Sequence, residues 1–332
     1  VTRAFIIGRR GQGDTAPEVV REVEKTLRTG GWTTDSVLVS KKRELRRAAA
    51  SSVKDGYDIV VAVGGDEAVA QAATSLARSP AALGIVPTGR RDLLAGNLGI
   101  PSDPTEAAKL ILTARKRVID LGRAAVDGKR RDFLVACGMG YDASPIDGAA
   151  SDGTDPAATD AGGTDAAETG AGETDGGTAH PTAAPPKLRW GKAAYVANAM
   201  ARFGGMRNTT HHITLDGEVR TVEASQVFIA NFGRMLPVIK PRQAIRPDDG
   251  RLDVIVVRAS GLVPGLLASW EVVREKSLGF SGGGHVFRAR ASRIRIETAS
   301  PRVVEGDGAV IGTTPLKVKV IPRALTVLVR RR

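Results

Sequence analysis

Up to about residue 122 the chain alternates short apolar runs with amphipathic stretches. Ala4 to Ile7 is a strand-like run closed by the glycine loop Gly8–Gly13. Pro17 to Thr29 sets Val19, Val20, Val23 and Leu27 on one side, which predicts a helix ended by Gly30-Gly31-Trp32. A strand over Ser36–Val39 and a helix over Lys41–Val53, with its Arg and Lys outward, follow. Tyr57 to Val63 is an unbroken apolar run rich in β-branched residues, as in a strand buried on both faces. Gly64-Gly65-Asp66 breaks it, and Ala68 to Ala77 has helix-forming composition. Leu83 to Val86 is a second buried strand, closed by Pro87-Thr88-Gly89. Leu93 to Leu98 predicts a helix stopped by Gly99 and Pro101, and Thr105 to Arg115 a further one. Strand and helix in alternation imply parallel strands joined by right-handed crossovers.

Beyond Arg117–Gly122 the pattern changes to closely spaced strands. Phe133–Ala136, His212–Leu215, Val227–Asn231, Leu252–Val257, Arg293–Thr298 and Leu316–Ile321 are the candidates, with helices over Trp190–Phe203 and around Pro264–Ser277. The predicted fold is therefore an N-terminal Rossmann-like α/β domain with a parallel sheet, residues 1–122, and a C-terminal antiparallel β-sandwich domain, residues 123–323. Ala324 to Arg330 is expected to return to the first domain as a strand. Gly148 to Pro186 repeats variants of Thr-Asp-x-Ala without aromatic or large aliphatic side chains. Such a segment cannot bury enough surface to offset the entropy of ordering, so residues 148–186 are read as a disordered acidic insertion.

Composition sharpens this in two ways. The chain has 332 residues and a formal net charge of +12, yet residues 143–186 hold eight acidic residues and no Lys or Arg, which leaves the remainder at +20. A surface of that sign attracts anionic lipid or nucleic acid. Aromatic residues are only 4% and no nucleic-acid motif stands out, so specific nucleic-acid binding is not expected. The single cysteine, Cys137, excludes an internal disulfide, and no apolar run reaches the ~20 residues of a membrane span. The expectation is a cytoplasmic protein, peripheral at the inner face of a membrane.

The candidate chemistry lies at the two glycine turns. Two strand–glycine–helix units in tandem are the layout of a nucleotide site at the carboxyl edge of a parallel sheet, where backbone N–H groups can cradle phosphates. Asp66 is a charged group directly after a buried strand. Asp248-Asp249-Gly250 precedes another strand, and Glu305-Gly306-Asp307-Gly308 is a third acidic turn.

These stretches resemble the catalytic domain of the diacylglycerol kinase family, which includes bacterial lipid kinases and sphingosine kinases and is more distantly similar to NAD kinases. Gly64, Gly65, Asp66, Glu67 and Ala68 align with the family's Gly-Gly-Asp-Gly-Thr. Pro87 to Pro101 aligns without a gap with its Pro-x-Gly-Thr-Gly-Asn-Leu-Leu-Ala-Arg-Asn-Leu-Gly-Ile-Pro. Gly138–Ala143 and Asp249–Asp253 are similar to two further motifs. The resemblance implies transfer of an ATP γ-phosphate to a lipid hydroxyl, such as that of diacylglycerol. It assigns Asp307 as base and Asp66 to the catalytic network. It puts Gly64, Gly65, Gly89, Arg90, Arg91 and Asp92 at the nucleotide and Asp249 at Mg²⁺. A register shifted by two residues would use Glu305 in place of Asp307. The implied partners are a lipid substrate and an anionic membrane surface, with a homodimer left open.

Six changes fall on the motif centres. Glu67 and Ala68 replace Gly and Thr, Arg90 and Arg91 replace Thr and Gly, Asp92 replaces an Asn, and Ala309 stands where the family has a second acid after the base. A carboxylate ~4 Å from a phosphate costs about 1 kcal/mol in water and about 4 kcal/mol at an effective dielectric of 20. Arg90 and Arg91 could offset Glu67 by pairing with it or with phosphate. The pattern implies a nucleotide framework that is kept and a competence that is weakened.

Overall fold

The computed structural model describes residues 1–10, 17–89, 92–142, 207–233, 245–258 and 285–331. The predicted acidic insertion, the helices over Trp190–Phe203 and Pro264–Ser277, and Arg90 and Arg91 lie outside the described residues. The first half holds β1 (Arg3–Arg9), α1 (Pro17–Thr29), β2 (Thr33–Val39), α2 (Lys42–Lys54), β3 (Ile59–Gly64), α3 (Asp66–Leu76), β4 (Ala82–Pro87), α4 (Leu93–Leu98) and α5 (Pro104–Thr113). The strands after these are β5 (Arg115–Val126), β6 (Lys129–Phe133), β7 (Ala136–Asp142), β8 (Thr209–Leu215), β9 (Glu218–Ala224), β10 (Gln226–Ala230), β11 (Leu252–Val257) and β12 (Val286–Ala291). The last four are β13 (Arg293–Thr298), β14 (Arg302–Gly306), β15 (Ala309–Thr313) and β16 (Leu316–Val329).

The parallel strands run in the order β2-β1-β3-β4. Every residue of β3 and β4 is buried, because helices cover both faces, and this is why those segments read as unbroken apolar runs. Val20, Val23 and Leu27 of α1 and Leu45 and Ala49 of α2 supply the core-facing stripes of their helices.

The sheet does not end with β4. β16 pairs in parallel with β4 through Val327 and Leu83, and in antiparallel fashion with β5 and β13. The sheet is therefore mixed rather than purely parallel, and it continues through β13 and β8 to β9. The segments read as Leu316–Ile321 and Ala324–Arg330 are one strand, with a break in register between Ile321 and Leu325. A second, all-antiparallel sheet of six strands, β12-β11-β10-β7-β14-β15, packs against the C-terminal part of the first. Side chains from both sheets, among them Phe133, Met139, Val227, Val254, Ile294 and Val318, fill the space between them. The architecture is an N-terminal mixed α/β sheet domain with a C-terminal antiparallel β-sandwich.

Asp-Gly pairs make three of the hairpins. Asp127-Gly128, Asp216-Gly217 and Asp307-Gly308 all have positive φ at both positions. This is the geometry of a type I′ turn, whose twist matches that of the strands it joins.

Candidate functional site

The glycine turns after β3 and β4 touch backbone to backbone. The Thr88 N–H donates to the Gly64 carbonyl at 3.3 Å. A Cβ on Gly89 would stand 2.8 Å from the Cα of Gly65, and one on Gly65 would stand 3.3 Å from the Cα of Gly89. Close approach of two main chains, not an unusual φ, is what requires glycine here.

Asp66 opens α3, and its Oδ1 accepts from the Leu94 N–H at 3.3 Å, which ties the first turn to the start of α4. Asp92 is the residue before α4, in the left-handed conformation (φ 42°, ψ 51°), and its Oδ1 accepts from the Gly89 N–H at 3.2 Å. Burial, and after it the charge of Asp66, pushes the Asp92 carboxyl up to about 6, against the pull of the Gly89 N–H. The Gly89 N–H is thus already occupied by a side chain of the same turn.

Glu67 does not stand alone. Its carboxylate pairs with Arg9 Nη1 at 2.8 Å and with Lys42 Nζ. Burial would raise its pKa, but Lys42 and Arg9 together hold it below the usual range. The end of β1 and the starts of α2 and α3 are joined by this cluster, so the partners of Glu67 are Arg9 and Lys42.

Asp307 enters from the other half of the chain, at the tip of the β14–β15 hairpin, with φ 48°. Its Oδ2 accepts from the Leu134 N–H at 2.7 Å. Its Oδ1 accepts from the N–H groups of Val135 and Ala136 at 2.8 and 3.1 Å. Asp307 also donates its own N–H to the Ala136 carbonyl at 2.9 Å. Burial raises the Asp307 carboxyl to about 6; the three backbone N–H groups oppose this, and the charge of Asp66 adds to it. The negative charge of Asp66 thus reaches the Asp307 carboxyl, although the two are distant in sequence. It reaches Asp92 as well.

Asp120 is the residue that sequence reasoning passed over. It is fully buried, and its two carboxylate oxygens accept from the N–H groups of Gly250 and Arg323, each at 2.7 Å. Its N–H donates to the Pro247 carbonyl, while Asn231 Nδ2 donates to the carbonyls of Asp120 and Leu134. This knot fixes the turn that carries Asp248 and Asp249 and steadies the crossing that Asp307 holds. The signal was the Ile-Asp-Leu-Gly run at residues 119–122: an acid between apolar residues in a strand needs buried partners.

Asp249 lies on that turn in an ion pair with Arg290, and its Oδ1 also accepts from the Arg251 N–H at 3.1 Å. Beside it, Asp253 is buried and paired with Arg288 at 2.7 Å. Among the described residues, no group of three or more His, Cys, Asp or Glu is placed to hold a metal ion. Arg290 is the partner of the Asp249 carboxylate, and Ala309 stands where an acid would be its companion at a metal.

The fold defines a two-part protein of the NAD-kinase-like class. The family model of the diacylglycerol kinase catalytic domain matches residues 3–124, and that of the YegS C-terminal NAD kinase beta sandwich-like domain matches residues 175–329. The chain belongs to this diacylglycerol kinase and YegS-like lipid kinase superfamily. It is 24% identical to a diacylglycerol kinase of Mycobacterium tuberculosis over 86% of this chain and 81% of that one. It is also 24% identical to an uncharacterised Synechocystis protein, of whose length it spans 58%. A probable YegS-like lipid kinase of Pseudomonas putida is 34% identical over 32% of this chain and 37% of its own. A crystal structure of a putative diacylglycerol kinase from Bacillus anthracis superposes with a TM-score of 0.69 at 20% identity, covering 99% of this chain and 97% of that one. That last likeness is one of fold.

Proposed function

We propose that this protein is a lipid kinase-like phosphotransferase that moves the γ-phosphate of ATP to a lipid hydroxyl such as that of diacylglycerol. What supports the reading is the Asp307 carboxylate, held on its hairpin by three backbone N–H groups and raised to about 6 by burial, with the charge of Asp66 adding to the rise. A base is most effective when its pKa lies near the working pH. Oδ2 of Asp307 accepts one N–H, which leaves it an acceptor direction for a hydroxyl. In the reaction the lipid O–H proton passes to Asp307 as the new O–P bond forms. The bond from the γ-phosphorus to the bridging oxygen breaks, and ADP departs with the electron pair. Gly64, Gly65 and Gly89 provide the close main-chain surface for the phosphates, Asp92 faces the nucleotide, and Arg90 and Arg91 pair with the phosphates. The lipid is reached from an anionic membrane surface; among the described residues no helix is long and apolar enough to cross a membrane.

A second reading is favoured by a specific observation. Asp92 occupies the Gly89 N–H and Arg290 occupies Asp249, as expected of a catalytically impaired member that binds a lipid or a partner. One experiment separates the two. Lipid phosphorylation and Mg-ATP binding are measured for the wild type, for Asp307→Asn, and for the restored variant Glu67→Gly/Ala68→Thr/Arg90→Thr/Arg91→Gly/Asp92→Asn. Activity in the wild type that falls by roughly 100-fold or more in Asp307→Asn supports the kinase. Inactivity of both, with ATP binding gained only by the restored variant, establishes the impaired reading.

A further inference from the structure

On the outer face of the antiparallel strands lies a groove of about 420 Å³ lined by Arg123, Arg130, Arg293, Arg295, Lys317 and Lys319. That size falls in the ~300–1,000 Å³ range of ligand-binding clefts. It lies on strands β5, β6, β8, β13 and β16 and uses none of the residues discussed above for phosphoryl transfer.

The strand register places these cations in two rows. Arg295 stands opposite Lys317, and Lys317 opposite Ala125, whose other neighbour is Arg130. In the second row Arg293 stands opposite Lys319, and Lys319 opposite Arg123. Three cross-strand neighbours are thus cation beside cation, an arrangement that destabilises a sheet. The alternate residues Ile294 and Val318 point into the core, which keeps the charged ones on one face. Carboxylates relieve only the margins: Asp132 binds Arg123 through two hydrogen bonds of 2.6 and 2.8 Å, and Glu297 binds Arg295 at 2.6 Å. Arg130, Arg293, Lys317 and Lys319 are paired with no carboxylate among the described residues, and all four are exposed.

We infer that this groove is a docking surface for an anionic lipid bilayer. Repulsion built into a ladder is a local cost that a negatively charged partner removes. Among the described residues no aromatic side chain lines the groove, so they offer none of the platforms on which single-stranded nucleic acid stacks. A lattice of long, rotatable cations suits mobile lipid phosphates, and the choice of a bilayer rests on the lipid reading above.

The test uses the full chain without nucleotide, so its outcome does not depend on turnover. Co-sedimentation is measured with vesicles of phosphatidylcholine alone and of phosphatidylcholine with about a third phosphatidylglycerol, at low and high salt. The triple variant Arg293→Gln/Lys317→Gln/Lys319→Gln should lose affinity for the anionic vesicles by on the order of 100-fold. Its melting temperature should equal or exceed that of the wild type, because the repulsion is gone. Four results overturn the inference: unchanged vesicle affinity in the variant, equal binding of the wild type to neutral vesicles, a lowered melting temperature, or loss of single-stranded RNA binding with vesicle binding intact. A protein that docks through the groove yet phosphorylates nothing retains this inference and loses the kinase reading.

Discussion

The two rims of the candidate site hold their carboxylates by different means. On the N-terminal rim, Asp66 and Asp92 sit at helix starts, and each oxygen involved accepts a single backbone N–H, at 3.3 and 3.2 Å. On the C-terminal rim, Asp307 accepts three, at 2.7 to 3.1 Å, from a crossing more than 170 residues earlier in the chain. Asp92 and Asp307 nevertheless both reach about 6. On one rim a single long hydrogen bond opposes the effect of burial; on the other three shorter ones do. The same proton affinity therefore has a local origin in one case and a tertiary one in the other.

Breaking the C-terminal rim should have the largest effect. Asp307→Ala leaves the Leu134, Val135 and Ala136 N–H groups without their acceptor and should cost roughly 3–5 kcal/mol, read as a shift in the urea midpoint. Gly89→Ala attacks the other rim by pushing its new Cβ against the Gly65 backbone. A loss of about 1–3 kcal/mol in the same assay is expected, with no change at the Asp307 hairpin.

Protonation gives the finest test. A carboxyl raised from about 3.9 to about 6 on folding makes the native state hold its proton longer than the unfolded chain. Stability should then fall as pH rises from about 4 to about 6 and level off above that. Asp92→Asn removes its share of this slope. Thermal melts of the variant across that window should be flatter than those of the wild type, and a slope equal to the wild type's would mean that Asp92 titrates normally.

The α/β half was legible because its signals are local. Helix α1 and the short helix α4 fall where apolar spacing, glycine and proline put them, and β3 and β4 declare themselves as fully buried runs. The β-rich half was read less fully. β9 was missed because five of its seven residues are exposed, so Glu218–Ala224 has hardly any apolar stripe. Asp127-Gly128 and Asp216-Gly217 were hairpin signals left unread. The strand expected over Phe133–Ala136 falls on the break between β6 and β7, since three N–H groups that a ladder would use go to the Asp307 side chain. At the site, the glycine framework could be read from spacing. The Arg290 partner of Asp249 and the Arg9 and Lys42 partners of Glu67 could not, for they come from other elements brought close only by the fold.

The continuity of β16 has a consequence for how the chain matures. Among the described residues, the outer edge of β4 pairs with that strand alone, so the N-terminal sheet keeps an open side until β16 is added. An open strand edge invites pairing with another chain. Closing it requires contact between positions almost 250 residues apart, the kind of non-local step that slows folding.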